Sequence, residues 1–218
     1  MKRILITGAG GSPAVNFSRS LRDSKDEFYL IGVDCNKYTL QRAETDERYL
    51  IPAASDKNYL PVLKEIIKKT SAEFIHAQND IELTFISRNR DSLPIRTFLP
   101  NKETVEICID KFKSYQCWKN AKIPQPETRI INNDDDLRSA LDVWGEVWLR
   151  DTVGAAGKGS LPVSEFKMAK AWLDFKSGWG KYTAAEMLSS QSVTWQSIWK
   201  NGELVVAQGR KRLYYEFA

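Results

Sequence analysis

The first hundred residues alternate between two hydrophobic patterns. Short apolar runs occur at Lys2–Thr7, Phe28–Val33, Arg48–Ile51 and Phe74–Ala77. Between them, apolar residues recur at helical spacing: Ala14, Val15, Phe17 and Leu21, then Leu60, Leu63, Ile66 and Ile67, then Leu83, Phe85 and Ile86. Buried runs of four to six residues read as strands, and the 3.6-residue period reads as amphipathic helices. A helix is therefore expected to start at Ser12-Pro13, with others at Tyr59–Lys69 and Ile81–Asp91 and a short helical turn at Gln41–Thr45. Strands that alternate with helices at this spacing predict an open parallel sheet covered on both faces.

The second half carries a different pattern. Helices are expected at Asn101–Asp110 and Lys111–Lys119, followed by an extended connector through Pro124 and Pro126. A helix at Asp134–Val143 opens on Asp134-Asp135-Asp136, acidic residues suited to a helix start. Strands are expected to end at Val147-Trp148-Leu149 and to cover Ser160–Val163 and Tyr182–Leu188, with a helix at Ser164–Lys176. Ser192–Trp199 and Glu203–Gln208 flank Asn201-Gly202, a strong hairpin signal. This half reads as mixed α+β with antiparallel strands.

Composition sharpens the division. Residues 1–110 balance 16 Lys/Arg against 16 Asp/Glu, whereas residues 111–218 hold 16 against 12, so the whole net charge of +4 lies in the second half. All seven tryptophans lie there too. A boundary near residues 100–111 follows, with domains expected at 1–104 and 105–218. A small basic excess suits an anionic small molecule. It is thin for a nucleic-acid binder, which carries a dense basic stripe. No apolar run approaches the length of a membrane span. Cys35, Cys108 and Cys117 are odd in number and widely spaced, which argues for reduced thiols in a cytoplasmic protein.

Two glycine-rich turns carry the candidate chemistry. The first, Gly8-Ala9-Gly10-Gly11, follows the first strand, and Asp34 ends the second. A tight strand-to-helix turn accounts for these glycines. Alternatively, the helix start binds an anionic group such as a substrate carboxylate, or a dinucleotide occupies it, although the third fingerprint glycine is replaced by the region of Pro13 and Ala14. The second turn follows Arg150 and Asp151 and contains Gly154, Gly157, Lys158 and Gly159. Glycine lets backbone N–H groups approach a ligand, arginine offers a fork that fits phosphate oxygens, and lysine adds a mobile charge. This loop is the stronger candidate for holding phosphate.

In their order, these features resemble the ATP-grasp superfamily of carboxylate–amine ligases, and are similar to a carbamoyl-phosphate synthase large-subunit module. Residues 1–104 look like the Rossmann-like pre-ATP-grasp domain, through Thr7–Gly11, Asp34 and Asn79-Asp80-x-Glu82-Leu83. Asp110-Lys111 and Ile123–Thr128 resemble the entry into the grasp domain. Leu149-Arg150-Asp151 with Gly154–Gly159 resembles its phosphate loop, Glu186-Met187-Leu188 its adenine hinge, and Arg210 and Arg212 its late basic positions. The resemblance implies ATP as nucleotide, with Mg2+, and small carboxylate and amine substrates. Lys111, Arg150 and the Gly154, Gly157, Lys158 and Gly159 segment would hold phosphates. Glu186 and the Leu188 backbone would bond the adenine edge, against Met187. Arg210 would orient the transferred phosphoryl group. Gly10, Gly11, Asp34, Asn79, Asp80 and Glu82 would line the acceptor side.

Each assignment has a plainer competitor: Lys111 as a solvated helix residue, Arg150 as a local partner of Asp151, Glu186 as a water-facing strand residue, Arg210 and Arg212 as a solvated strand end. The sequence also departs from the family. No acid follows the hinge at Ser190-Gln191-Ser192 to bind the ribose, and the family's metal-ligating acids have no counterpart, since Glu216 alone cannot supply near-octahedral ligation. The chain is therefore expected to be an incomplete ATP-grasp domain: a fragment, one subunit of a split ligase, or a nucleotide-binding protein without catalysis. A homo-oligomer or a partner chain would complete its sheet.

Overall fold

In a computed structural model, residues 1–155, 157, 159–189, 191–211 and 213 are described. The expectations placed on Lys158, Ser190, Arg212 and Glu216 lie outside the described residues.

The first unit, Met1–Ser114, is built on a parallel sheet. Its strands are β1 (Lys2–Thr7), β2 (Phe28–Asp34), β3 (Glu47–Leu50), β4 (Phe74–His76) and β5 (Arg96–Thr97), in the order β3-β2-β1-β4-β5. Ile4 lies opposite Leu30 and Phe74, and Leu5 opposite Ile31 and Ile75. The helices between them are α1 (Ser12–Arg22), α2 (Lys37–Leu40), α3 (Tyr59–Thr70) and α4 (Asp80–Asn89), and α5 (Lys102–Ile109) follows β5.

Alternation along β1 divides the core. Leu5 packs with Ile31, Val33 and Ile75 against Leu63, Ile66 and Ile67 of α3 and Ile86 of α4. Ile4 and Ile6 face the other way, onto Ala14 of α1 with Phe17 and Leu21 beside it. Two covered faces explain why these strands are apolar throughout rather than alternating.

One local expectation is corrected, and one strand had no expectation placed on it. The short helix of this unit is α2, not residues 41–45, because the Asn36 side chain accepts from the amides of Tyr38 at 2.8 Å and Thr39 at 3.3 Å and so starts it early. The short edge strand β5 carries too few apolar residues to stand out in the sequence.

The second unit, Tyr115–Ala218, holds a four-stranded antiparallel sheet. Helix α6 (Lys111–Asn120) spans the division between the units. The sheet comprises β6 (Thr128–Ile131), β7 (Val147–Asp151), β8 (Leu161–Val163) and β9 (Tyr182–Glu186), in the order β6-β9-β7-β8. Helices α7 (Asp134–Trp144) and α8 (Phe166–Lys176) cover one face, where Val147, Leu149, Tyr182 and Ala184 meet Leu137, Ala140, Ala169 and Leu173. Helix α7 is capped by Asn133, whose side chain accepts from the Asp136 amide at 2.9 Å. The acidic triplet forms the first turn instead of the cap.

Strands β10 (Val193–Lys200) and β11 (Glu203–Lys211) form a separate two-stranded hairpin around Asn201-Gly202. Both turn residues have positive φ, 52° and 82°, as a primed hairpin turn requires. Trp195, Trp199, Val205 and Val206 are exposed on it.

Candidate nucleotide site

Strand β7 organises the site. Its register against β9 pairs Trp148 with Ala185, Arg150 with Thr183 and Asp151 with Tyr182. Side chains alternate across a strand, so Val147, Leu149 and Asp151 point toward the helices, whereas Trp148 and Arg150 point away from them. On that second face lies a cavity of about 350 Å3, lined by Pro126, Trp148, Arg150, Ala185 and the Glu186–Ser189 segment. Arg150 and the hinge residues Glu186, Met187 and Leu188 thus share one wall. Pro126 and Trp148 join them without having been singled out by sequence. The signal for Trp148 was its place two residues before Arg150 on the same strand face.

The cavity pairs an apolar wall with one cation. Arg150 Nε is shielded from solvent and has no hydrogen-bond partner among the described residues. Burial lowers the pKa of this guanidinium, yet an arginine stays charged at any physiological pH. An ion pair with Asp151 does not account for it: the two side chains leave opposite faces, and no Arg150–Asp151 salt bridge occurs among the described residues. A buried, unmatched N–H donor costs free energy, and the residue as a whole brings the only positive charge among the described residues of the cavity lining.

The 186–189 segment is braced by Glu127, the residue before β6. Glu186 N donates to Glu127 O at 3.1 Å, and Glu127 N donates to Glu186 Oε1 at 3.3 Å. Glu127 is held in turn by the Tyr115 hydroxyl at 2.7 Å and by Lys119 Nζ at 3.2 Å. These bonds, the Tyr115 hydroxyl first, lower the Glu127 pKa. Beyond Glu186 the chain leaves the strand, and Met187 and Leu188 are exposed.

The glycine loop joins β7 to β8. Gly154, Gly157 and Gly159 all lie in it, and Gly159 has φ +83°. Arg210 sits on exposed β11, where its Nη2 donates to Gln208 Oε1 at 3.4 Å, and does not line the cavity. Lys111 opens α6 and belongs to the first unit.

The remaining sequence candidates gather at the C-terminal ends of β1, β2 and β4. The first glycine turn spends its amides internally: Ala9 N on Val33 O at 3.1 Å, Gly10 N on Asp34 Oδ2 at 3.2 Å, Gly11 N on Gly8 O at 2.9 Å. Asp34 also accepts from the Asn36 amide at 2.9 Å and the Thr39 hydroxyl at 3.0 Å. Glu82 is buried on α4, accepting from the Tyr59 hydroxyl at 3.0 Å and from the Asn79 side-chain amide. Burial pushes the Glu82 pKa up, against the lowering effect of these donors. Asn79 caps α4 by accepting from the Glu82 amide at 2.9 Å, and Asp80 is exposed in the first turn. Among the described residues, no three His, Cys, Asp or Glu side chains converge in a way that would hold a metal ion. No helix among them is long and apolar enough to cross a membrane.

Residues 4–95 match the family model described as PylC-like, N-terminal domain. No curated protein matches the chain by sequence. Among solved structures, N5-carboxyaminoimidazole ribonucleotide synthetase from Thermus thermophilus is similar at a TM-score of 0.75 and 15% identity, over 98% of this chain and 55% of its own. N5-carboxyaminoimidazole synthetase from Staphylococcus aureus, solved as a complex with ADP, gives 0.74 and 12%, over 99% and 55%. D-alanyl-alanine synthetase A from Vibrio cholerae gives 0.70 and 15%, over 99% and 69%. The chain thus spans about half the length of the two carboxyaminoimidazole synthetases. These likenesses establish the fold, a parallel five-stranded sheet followed by antiparallel sheets.

Proposed function

We propose that the chain supplies the nucleotide-binding part of an ATP-dependent carboxylate–amine ligase of the ATP-grasp kind. The observation that carries this reading is that Arg150 lines one cavity together with Trp148, Pro126 and the 186–189 segment. A planar base fits between apolar walls, and a guanidinium on the same lining suits a phosphate oxygen. In this reading the base lies against Trp148 and Met187, with its edge toward the Glu186 carboxylate and the Leu188 backbone. Arg150 takes a phosphate oxygen, and the backbone at Gly154, Gly157 and Gly159 is assigned to the phosphates beyond it. The ADP held by the Staphylococcus aureus synthetase of like fold supports the same ligand class.

The reaction assigned to this site forms ADP. A substrate carboxylate oxygen attacks the γ-phosphorus, the bond to the β-phosphate bridge breaks, and ADP leaves. An amine then attacks the acyl carbon and phosphate departs. The residues contribute by positioning and by matching the charge spread over the phosphoryl oxygens. Arg150 does so directly, and Arg210 is assigned to the transferred phosphoryl group. When bound, Mg2+ supplies charge neutralisation on the phosphates, but the described residues offer no converging ligand set for it. The carboxylate or amine substrate is assigned to the first unit. There Gly10, Gly11, Asp34, Asn79, Asp80 and Glu82 lie beside the point between β1 and β4 where strand order reverses, the usual ligand crevice of an open parallel sheet.

Titration calorimetry of ATP into the wild-type chain and the Arg150→Ala variant tests this. Saturable binding that weakens about tenfold or more in the variant, as for loss of a charged hydrogen bond, is expected. Equal affinities would remove Arg150 from the site.

A further inference from the structure

The face of β7 opposite the cavity carries a second arrangement, around Asp151. Asp151 and Tyr182 are register partners on β7 and β9, and Tyr182 belongs to the core beneath α7 and α8. Both side chains reach the end of the glycine loop. A β-carbon placed on Gly159 would lie 3.0 Å from Tyr182 Oη, 3.0 Å from Asp151 Oδ2 and 3.1 Å from Asp151 Oδ1. One placed on Gly154 would lie 3.6 Å from the same Oδ2. The carboxylate therefore sits between the two ends of the loop. Trp172 Nε1, from α8, donates to Gly159 O at 3.4 Å. Asp151 Oδ1 is shielded from solvent and accepts no hydrogen bond among the described residues. Burial first, then the adjoining Asp151 carboxylate, push the Tyr182 hydroxyl up to about 12, so it remains a neutral donor.

We infer that Asp151, with the Tyr182 hydroxyl, is a positioning residue that sets where Gly154 and Gly159, at the two ends of the glycine loop, stand to receive phosphate. The inference rests on the nucleotide reading above for its ligand, but not for its geometry. Charge alone argues the other way. A carboxylate under a loop that receives phosphate repels its ligand, so the sign of a charge-removing substitution separates anchoring from mere proximity. If Asp151 is only a nearby negative charge, Asp151→Asn tightens ATP. If it is the anchor, Asp151→Asn weakens ATP despite the lost repulsion. Tyr182→Phe removes one oxygen and no charge, and must act in the same direction.

The test combines two measurements on wild type, Asp151→Asn and Tyr182→Phe, with thermal melts as a control on folding. Amide hydrogen exchange without ligand reads the loop itself, because local opening sets the exchange rate. Calorimetry with ATP and with adenosine separates the phosphate side from the base side. Expected are faster exchange in peptides covering residues 152–160 in both variants, and ATP affinity lower by about threefold to tenfold with adenosine affinity retained. Unchanged exchange, tighter ATP in Asp151→Asn, or equal losses for ATP and adenosine would each overturn the inference. If the wild type takes up neither ligand, the nucleotide reading fails, and the exchange arm alone decides whether Asp151 and Tyr182 hold the loop.

Discussion

Trp148 and Arg150 leave β7 on the same face and line the same cavity, two residues apart. One offers a flat apolar surface and the other a buried donor. Their substitutions should therefore be separable. Base stacking on an aromatic side chain is worth about 1–3 kcal/mol. Trp148→Ala is thus expected to weaken ATP and adenosine alike, whereas Arg150→Ala weakens ATP and spares adenosine. Calorimetric titration of both ligands into both variants checks this.

Gly10 is a packing requirement. A β-carbon there would lie 1.7 Å from Thr39 O, inside the backbone of α2. Gly10→Ala must push α2 away from the β1–α1 turn, and overpacking of this kind costs about 1–3 kcal/mol or more. A lower urea midpoint for the first unit is expected, and an unchanged midpoint would mean that α2 yields freely.

Glu82 makes the first unit sensitive to pH. Its folded pKa is raised by burial, so the folded state holds its proton to higher pH than the unfolded chain does. That contribution is complete below the usual glutamate value. It is lost as pH rises from there through the raised folded value. Urea midpoints measured across this interval should fall with pH in the wild type, and the fall should be absent in Glu82→Gln.

Asn133 caps α7 through its side-chain oxygen and the Asp136 amide. Asn133→Ala should destabilise the second unit by about 1 kcal/mol. Asp135→Ala, in the same acidic turn but not the cap, should cost less. Denaturant melts of the two variants give the comparison.

The alternation of short apolar runs with helical periods was legible along the chain, and so was the turn chemistry of Asn201-Gly202. Local signals of this kind are carried by neighbouring residues. The β1 sheet, the α7–β7 succession and the final hairpin all follow from them. What was not legible depended on register. Trp148 reads as one more apolar residue of a strand until its partner Ala185 shows which face it takes. The approach of Asp151 to Tyr182 joins positions 31 apart and needs the β7–β9 pairing to exist. The internal use of the Ala9, Gly10 and Gly11 amides likewise depends on where β2 ends and on the Asp34 side chain. The early start of α2 was written in Asn36, a capping residue hidden by the polar stretch around it.

The central claim is that a nucleotide base occupies the cavity between Trp148 and the 186–189 segment. Photolabelling with 8-azido-ATP, followed by peptide mapping with and without excess ATP, addresses it most directly. Label is expected in the peptides containing Trp148 or Met187–Ser189, and it should be lost when ATP competes. Label confined to the Gly8–Gly11 turn or the β10–β11 hairpin, or label that ATP does not displace, would contradict it.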